Sequence, residues 1–113
     1  MTIDEYSTKV STTAVYDGST LDRLNYTSIA LGGEVGEYLN EYKKYLREAP
    51  IGFPCCEPPL GIPQGETRTR LLLELGDTLW YLTRTASELG SSLEQVAQMN
   101  LDKLAARYGI QEK

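Results

Sequence analysis

The sequence predicts an all-α fold, in which four amphipathic helices form one small four-helix bundle. Apolar residues recur at helical spacing over four segments, and no stretch shows the alternation of a half-buried strand. The chain has 113 residues, the size of a single domain, so residues 1–113 are expected to form one unit. Four apolar stripes exceed what a chain of this length can bury alone, and we expect oligomerisation to complete the bundle.

The first two helices are predicted from capping signals. Residues Thr2 to Glu5 have the form of a capping box, and apolar residues follow at helical spacing, which predicts a helix over about residues 2–15. Ser19 or Thr20 can cap a second helix that reaches about Glu48.

Three glycines, Gly32, Gly33 and Gly36, lie inside the second predicted helix. Each weakens a helix by roughly 1 kcal/mol relative to alanine, so their presence needs a reason. We expect them to serve close packing, a bend, or the approach of the backbone to a bound molecule.

A long loop separates the second and third predicted helices. Residues 49–66 carry all five prolines, and proline cannot continue a helix. A loop of this length covers a site, reaches a partner subunit, or is a tolerated insertion. The third helix is then predicted from about Thr67 to Leu89, and the fourth begins near Ser91 and ends at Gly109.

The composition limits the chemistry that this chain can perform. Sixteen acidic and 11 basic side chains give a net charge of −5, which argues against a nucleic-acid binder, because such proteins need a basic face. Histidine is absent, which excludes histidine general bases, histidine-ligated zinc and Ser-His-Asp catalysis. Any acid–base or metal chemistry must therefore use carboxylates.

The cysteines and the N-terminus predict a cytoplasmic protein. Cys55 and Cys56 are the only cysteines, and adjacent residues rarely reach disulfide geometry, so we interpret them as free thiols in a loop. The first ten residues lack a basic region followed by an apolar one, and no apolar run is long enough to cross a bilayer. We expect neither a signal peptide nor a membrane anchor.

Carboxylates recur on one face of each of the two long helices. Glu34, Glu37 and Glu41 follow one seam of the second helix, at the edge of its apolar stripe. Glu74 and Asp77 repeat the spacing on the third helix, inside the most apolar segment of the chain. Carboxylates in such surroundings require a cation or hydrogen-bond partners.

Two facing acidic pairs would bring four oxygen donors together without nitrogen or sulfur. This donor set suits Mg²⁺, with Mn²⁺ as a substitute. The alternative is that a Glu-x-x-Glu pair on a helix is an ordinary solvated face.

The fourth helix carries a second set of polar residues. Asn100 lies in the middle of its apolar stripe, and Lys103 and Arg107 follow along the edge. We expect the trio to meet an anionic ligand near the metal, although Asn100 could instead make an inter-helix hydrogen bond that fixes packing. Lys44 is a further phosphate contact or a plain solvated lysine.

Assembled in order, these residues resemble the MazG-like nucleotide pyrophosphohydrolases. The resemblance covers about residues 24–107 and rests on three motifs. The motifs are Leu31-Gly32-Gly33-Glu34-Val35-Gly36-Glu37, then Glu74-Leu75-Gly76-Asp77-Thr78-Leu79-Trp80-Tyr81, then Met99-Asn100-Leu101-Asp102-Lys103-Leu104 with Arg107.

This resemblance implies a nucleoside triphosphate substrate, cleaved to monophosphate and pyrophosphate for nucleotide-pool house-cleaning. It also implies a homodimer or homotetramer with sites near subunit contacts. The residues that it implies for Mg²⁺ are Glu34, Glu37, Glu74 and Asp77.

We expect Glu34 or Glu37 to be the general base of the reaction. Lys44, Lys103 and Arg107 are expected to hold phosphates, and Asn100 the sugar or a phosphate. Tyr81 is expected at the base or sugar edge, whereas Trp80, about 100° away on the helix, is interpreted as core or subunit interface.

Three other functions compete with this interpretation. A related enzyme could act on dUTP or phosphoribosyl-ATP, and a non-catalytic interaction protein could bind a divalent ion through the same acids. A di-iron bundle requires Glu-x-x-His motifs, which a chain without histidine does not contain.

Overall fold

Four helices form the described part of the chain. The structure, a computed structural model, describes residues 1–48 and 61–109. The helices are α1 (Ile3–Ser11), α2 (Thr20–Arg47), α3 (Gly65–Glu88) and α4 (Leu93–Tyr108). These residues contain no strand, and the predicted all-α fold is confirmed. Cys55, Cys56 and most of the predicted 49–66 loop lie outside the described residues. None of the described helices combines the length and apolar character needed to span a membrane.

Helix α1 begins as predicted but ends earlier. The backbone N–H of Glu5 donates to Thr2 Oγ1 at 3.1 Å, which is the expected capping contact. The helix ends at Ser11 rather than near residue 15. The hydroxyls of Ser11, Thr12 and Thr13 each donate to the carbonyl three residues earlier, at 2.6, 2.7 and 2.8 Å. Thr13, just beyond the helix, also accepts a hydrogen bond from Trp80 Nε1 on α3 at 2.8 Å, and this tertiary contact holds the chain away from a further helical turn.

Helices α2 and α3 pack antiparallel and form the main interface of the chain. Near the start of α2, Arg23 Nε lies 3.0 Å from Glu88 Oε1 at the end of α3. Towards the end of α2, Glu41 Oε2 lies 3.4 Å from Arg70 Nε near the start of α3. The middles of the two helices therefore face each other. Helices α1 and α4 pack against α3 and against each other, and within the described residues α4 does not contact α2.

Few of the side chains that the structure describes are buried within one chain. Among residues 1–48 and 61–109, the buried ones are Val10, Thr27, Pro63, Leu71, Thr83, Ala86 and Leu93. By contrast, Ile29 on α2 is 78% exposed, Leu73 on α3 is 64% exposed, and Met99 on α4 is 62% exposed. The apolar stripes that predict the helices are thus left largely open in the single chain.

The glycines of α2 do not serve packing within the described chain. Gly32, Gly33 and Gly36 are exposed, and a Cβ added to any of them would meet no atom of another element within 4 Å. The expectation of close packing is therefore wrong for one chain, because α3 and its neighbours lie away from this face of α2.

Asn100 does not interrupt a buried face. Only Leu93 is buried on α4, and Asn100 is exposed, as are Lys103 and Arg107. Asn100 lies in the middle of an apolar stripe, as the sequence indicates, but within the described residues of one chain no other element covers this part of α4.

Candidate active site

Three of the predicted acidic residues meet between α2 and α3. Glu34, Glu74 and Asp77 each offer a carboxylate oxygen, and these oxygens lie within 4.8 Å of one another. Glu74 and Asp77 share a face of α3 because residues three apart are neighbours on a helix. The antiparallel packing places Glu34 opposite them. We call these three residues the acidic cluster.

The acidic cluster lacks a compensating cation among the described residues. None of its carboxylates forms an ion pair with residues 1–48 or 61–109. Burial raises the pKa of Glu34, and the charges of Asp77, Glu74 and Glu37 raise it further. Burial and the neighbouring charges, led by Asp77, also raise the pKa of Glu74. A divalent cation would relieve this repulsion.

Glu37 and Glu41, the other acids on the seam of α2, occupy different surroundings. Glu37 is exposed and lies outside the acidic cluster, although its charge acts on both Glu34 and Glu74. Glu41 is paired with Arg70 at 3.4 Å and with Lys44 at 3.6 Å. Lys44, a predicted phosphate contact, therefore lies beside Glu41, the last of the three acids along α2 and not a member of the acidic cluster.

A cavity of about 720 Å³ adjoins the acidic cluster, and Glu34 and Asp77 line it. This volume is in the range of small-molecule sites. Four aromatic side chains, which we call the aromatic wall, also line the cavity: Tyr16, Tyr26, Trp80 and Tyr81. Each ring contacts the next in a closed circuit, with centroid separations of 5.4, 6.2, 4.8 and 6.3 Å.

Tyr81 and Trp80 line the same cavity. Trp80, interpreted from the sequence as core or subunit interface, donates from Nε1 to Thr13 Oγ1 at 2.8 Å, and its ring lines the cavity in the single chain. The hydroxyls of Tyr81 and Tyr26 lie 3.4 Å apart. This contact, with burial and nearby charges, raises the pKa of Tyr81 to about 12. Its hydroxyl therefore keeps its proton at neutral pH.

Residues 12–19, the connector between α1 and α2, form one side of the cavity. The hydroxyl of Tyr16 donates to Glu88 Oε2 and accepts from Arg84 Nε, both at 2.8 Å. Arg23 Nη1 donates to the carbonyl of Gly18 at 2.6 Å. Burial alone would raise the pKa of Glu88, but its hydrogen bonds from Tyr16 and Arg23 and the two arginine charges outweigh burial and lower it.

The sequence interpretation missed this side of the site. Asp17 and Gly18 were recognisable only as a helix break, and Tyr16 and Tyr26 fall outside the acidic motifs. A concentration of tyrosines near a break was the available signal, but spacing along the chain does not show that the connector folds over α3.

The trio on α4 is not brought to the acidic cluster within one chain. Asn100, Lys103 and Arg107 are exposed, and none of them lines the cavity. The guanidinium of Arg107 lies over the ring of Tyr108, 5.4 Å from its centroid. The single chain therefore presents cations on one surface and carboxylates on another.

Comparisons with known proteins match most of the chain. The profile of the MazG nucleotide pyrophosphohydrolase domain matches residues 25–109, a span that contains the acidic cluster and α4. The Gene 37 protein of Mycobacterium phage L5 is 36% identical over 111 residues, covering 95% of this chain and 89% of the phage protein. No solved structure matches the chain.

Proposed function

Because the chain belongs to the MazG nucleotide pyrophosphohydrolase family, we propose that it cleaves a nucleoside triphosphate to the monophosphate and pyrophosphate. The reaction depends on Mg²⁺, and Mn²⁺ substitutes for it. The observation that supports this most directly is the acidic cluster, whose oxygens lie within 4.8 Å of one another beside an aromatic-walled cavity. The proposed role is house-cleaning of the nucleotide pool in the cytoplasm.

The donor chemistry of the acidic cluster fits Mg²⁺. Its three carboxylates offer oxygens that lie within 4.8 Å of one another, an oxygen-only donor set of the kind that Mg²⁺ prefers. Glu34, Glu74 and Asp77 would hold the ion, and Glu37 is proposed as a fourth ligand from the next turn of α2. When bound, the ion offsets phosphate charge and makes a bound water more acidic.

Two further tasks, accepting a proton and binding the substrate, also fall to side chains of the site. Glu34 or Glu37, whichever keeps a free oxygen, accepts a proton from the attacking water. The protonated hydroxyl of Tyr81 donates to the base or sugar edge, and Lys44 turns from Glu41 to a phosphate.

We propose that the functional unit is a homodimer or homotetramer in which α4 serves the cavity of a neighbouring copy. A triphosphate needs cations, and the cavity of one chain is lined by carboxylates and aromatic rings. Lys103 and Arg107 would contact phosphates, and Asn100 the sugar or a phosphate oxygen. The exposure of all three residues in the single chain supports this arrangement.

A pyrophosphate-release assay tests the proposed reaction. The substrates are the canonical and modified nucleoside triphosphates, with dUTP and phosphoribosyl-ATP included to detect the related activities. Asp77→Asn and Glu37→Gln should each lower the rate more than tenfold, about 1.4 kcal/mol of barrier, and chelation should abolish it. Glu66→Gln is the matched control, because Glu66 lies on α3 with its side chain 95% exposed. Orthophosphate as first product, or activity in chelator, would contradict the proposal.

A further inference from the structure

We propose that Asp17 determines base specificity, by accepting two hydrogen bonds from a base edge that carries adjacent N–H donors, the arrangement found in guanine. This inference rests on the proposed function in one respect, namely that the cavity receives a nucleotide. It assigns a role to a residue that lies outside the matched family domain, which begins at residue 25.

Asp17 is a cavity residue with its hydrogen-bonding capacity unused. It lines the cavity together with the aromatic wall, and it does not belong to the acidic cluster. Its carboxylate makes no hydrogen bond or ion pair with the part of the chain that the structure describes. Both oxygens are therefore available to a ligand in the cavity.

The residues on both sides of Asp17 are held in place, one through its side chain and the other through its backbone. Before it, the Tyr16 hydroxyl is fixed by Glu88 and Arg84, and after it the Gly18 carbonyl accepts from Arg23. Gly18 has φ +111°, a conformation that disfavours other residues. An anchored backbone positions the carboxylate before a ligand arrives, so little ordering is needed on binding.

The chemistry of a carboxylate selects among the bases. An ionised aspartate only accepts hydrogen bonds, and its two oxygens suit two parallel N–H donors. Guanine presents N1–H and the 2-amino group side by side. Adenine and cytosine place a ring-nitrogen acceptor beside the amino group, and uracil and thymine place carbonyls on both sides of N3–H. Only guanine among these bases makes two contacts without facing an acceptor to the carboxylate.

The aromatic wall supplies the second element of recognition. Tyr16 precedes Asp17 directly, and its ring contacts both Tyr26 and Trp80. The face of an aromatic ring beside a carboxylate binds a base by stacking, while the carboxylate reads the edge of the base. The wall tolerates any base, so the discrimination depends on Asp17.

Binding of monophosphates, followed by fluorescence, tests this inference without requiring turnover. Trp80 is the only tryptophan of the chain and lines the cavity, so its emission reports occupancy. The full-length protein is titrated with dGMP, dIMP, dAMP, dCMP and dUMP in the presence of Mg²⁺. We expect dGMP to bind at least about tenfold more tightly than dIMP, which lacks only the 2-amino group.

Asp17→Asn should reduce dGMP binding to the level of dIMP, because an amide offers one acceptor and turns a donor towards the second N–H. The thermal midpoint should not change, since Asp17 makes no contact that folding requires. Glu66→Gln on α3 removes the same charge from a side chain that is 95% exposed and outside the cavity, and it should leave the preference intact.

Three outcomes would overturn the inference: equal affinity of the wild-type protein for dGMP and dIMP, an unchanged preference for dGMP in Asp17→Asn, or no fluorescence response to any nucleotide. Pyrophosphate release from all bases at equal efficiency, with equal binding, would leave the proposed function standing and refute the role of Asp17. Selective dGMP binding without pyrophosphate release would support the role of Asp17 and refute the proposed reaction.

Discussion

Three glutamates show how surroundings decide what a carboxylate does. Glu34 is half-buried beside two other acids, and its pKa is raised by burial and by their charges. Glu41, two turns along the same helix, is neutralised by two basic side chains. Glu88 is 6% exposed but receives hydrogen bonds from three partners, and its pKa is lowered. Of these three, Glu34 alone lacks a cationic partner, and it lies beside two further acids, so this group is the one suited to bind a metal ion.

Glu74→Gln should stabilise the metal-free protein at neutral pH. A folded-state pKa above the ordinary value of 4.5 means that the ionised group opposes folding, and this cost is present above the folded pKa. The cost disappears as the pH falls below 4.5, so the advantage of the variant should shrink there. Thermal unfolding in chelator between pH 4 and pH 8 measures the effect.

Thermal unfolding of the same proteins with Mg²⁺ in place of chelator tests the acidic cluster as a metal site. The ion should raise the thermal midpoint of the wild-type protein, because it binds the folded chain, and should raise that of Glu74→Gln much less. Glu66→Gln, on the same helix, should behave like wild type in both arms. A variant less stable than wild type in chelator at pH 7 would contradict the assigned repulsion.

At the scale of elements, the connector joins the ends of three helices. Tyr16, Arg23 and Arg84 approach Glu88 from the connector, α2 and α3. The network therefore fixes the position of the connector over the cavity, as well as the packing of α2 on α3.

Glu88→Gln should destabilise the protein by about 1–3 kcal/mol at pH 7, since it removes the charge that partners two arginines in a buried setting. A lowered folded-state pKa gives stability that is present above the ordinary value of 4.5 and is lost as the pH falls through the folded pKa. The difference between wild type and variant should therefore narrow in acid. Denaturant unfolding at pH 7 and pH 3.5 tests this, and an equal difference at both values would contradict it.

The helices were largely predictable from local signals, because capping and periodicity depend on neighbours in sequence. Thr2 and Ser19 cap α1 and α2 as expected. The end of α1 was not predictable in this way, because Trp80, which lies 67 residues further along the chain, bonds to Thr13 just beyond the helix. A helix pattern cannot show such a tertiary contact.

At the scale of the molecule, the exposed apolar faces predict self-association. We expect a molecular mass of two or four times 12.6 kDa by light scattering at micromolar concentration. Leu39→Glu, at a position 58% exposed on α2, should shift the protein towards smaller species. Asn40→Glu introduces the same charge at the next, polar position and should not. A fully active monomer would contradict the expectation.

Mixing two impaired variants tests whether α4 serves a neighbouring copy. Lys103→Ala should raise the apparent KM, and Glu74→Gln should lower kcat, in separate proteins. After dissociation and reassembly together, some sites will combine an intact acidic cluster with an intact α4, and activity should exceed that of either variant alone. The absence of any recovery would place Lys103 at the site of its own chain or outside it.

The acidic cluster of the candidate site was predictable from the sequence, and the connector side of the cavity was not. The sequence indicates the acidic cluster because ionised carboxylates at helical spacing in an apolar segment are costly to bury. Its members are Glu34, Glu74 and Asp77. Tyr16 and Asp17 carry no such conflict, since exposed polar residues are ordinary in a connector. Their place in the lining of the cavity follows only from the fold, which brings the connector beside α3.

The distance along the chain between the clustered acids affects the lifetime of the folded state. Glu34 and Glu74 meet only when α2 and α3 dock, so an unfolded chain offers a cation no comparable set of ligands. A cation bound there would have to be released before α2 and α3 could separate, so it would slow the unfolding of the chain. The acids proposed to bind the metal for hydrolysis would thus also protect the protein from proteolysis for as long as divalent ions are plentiful.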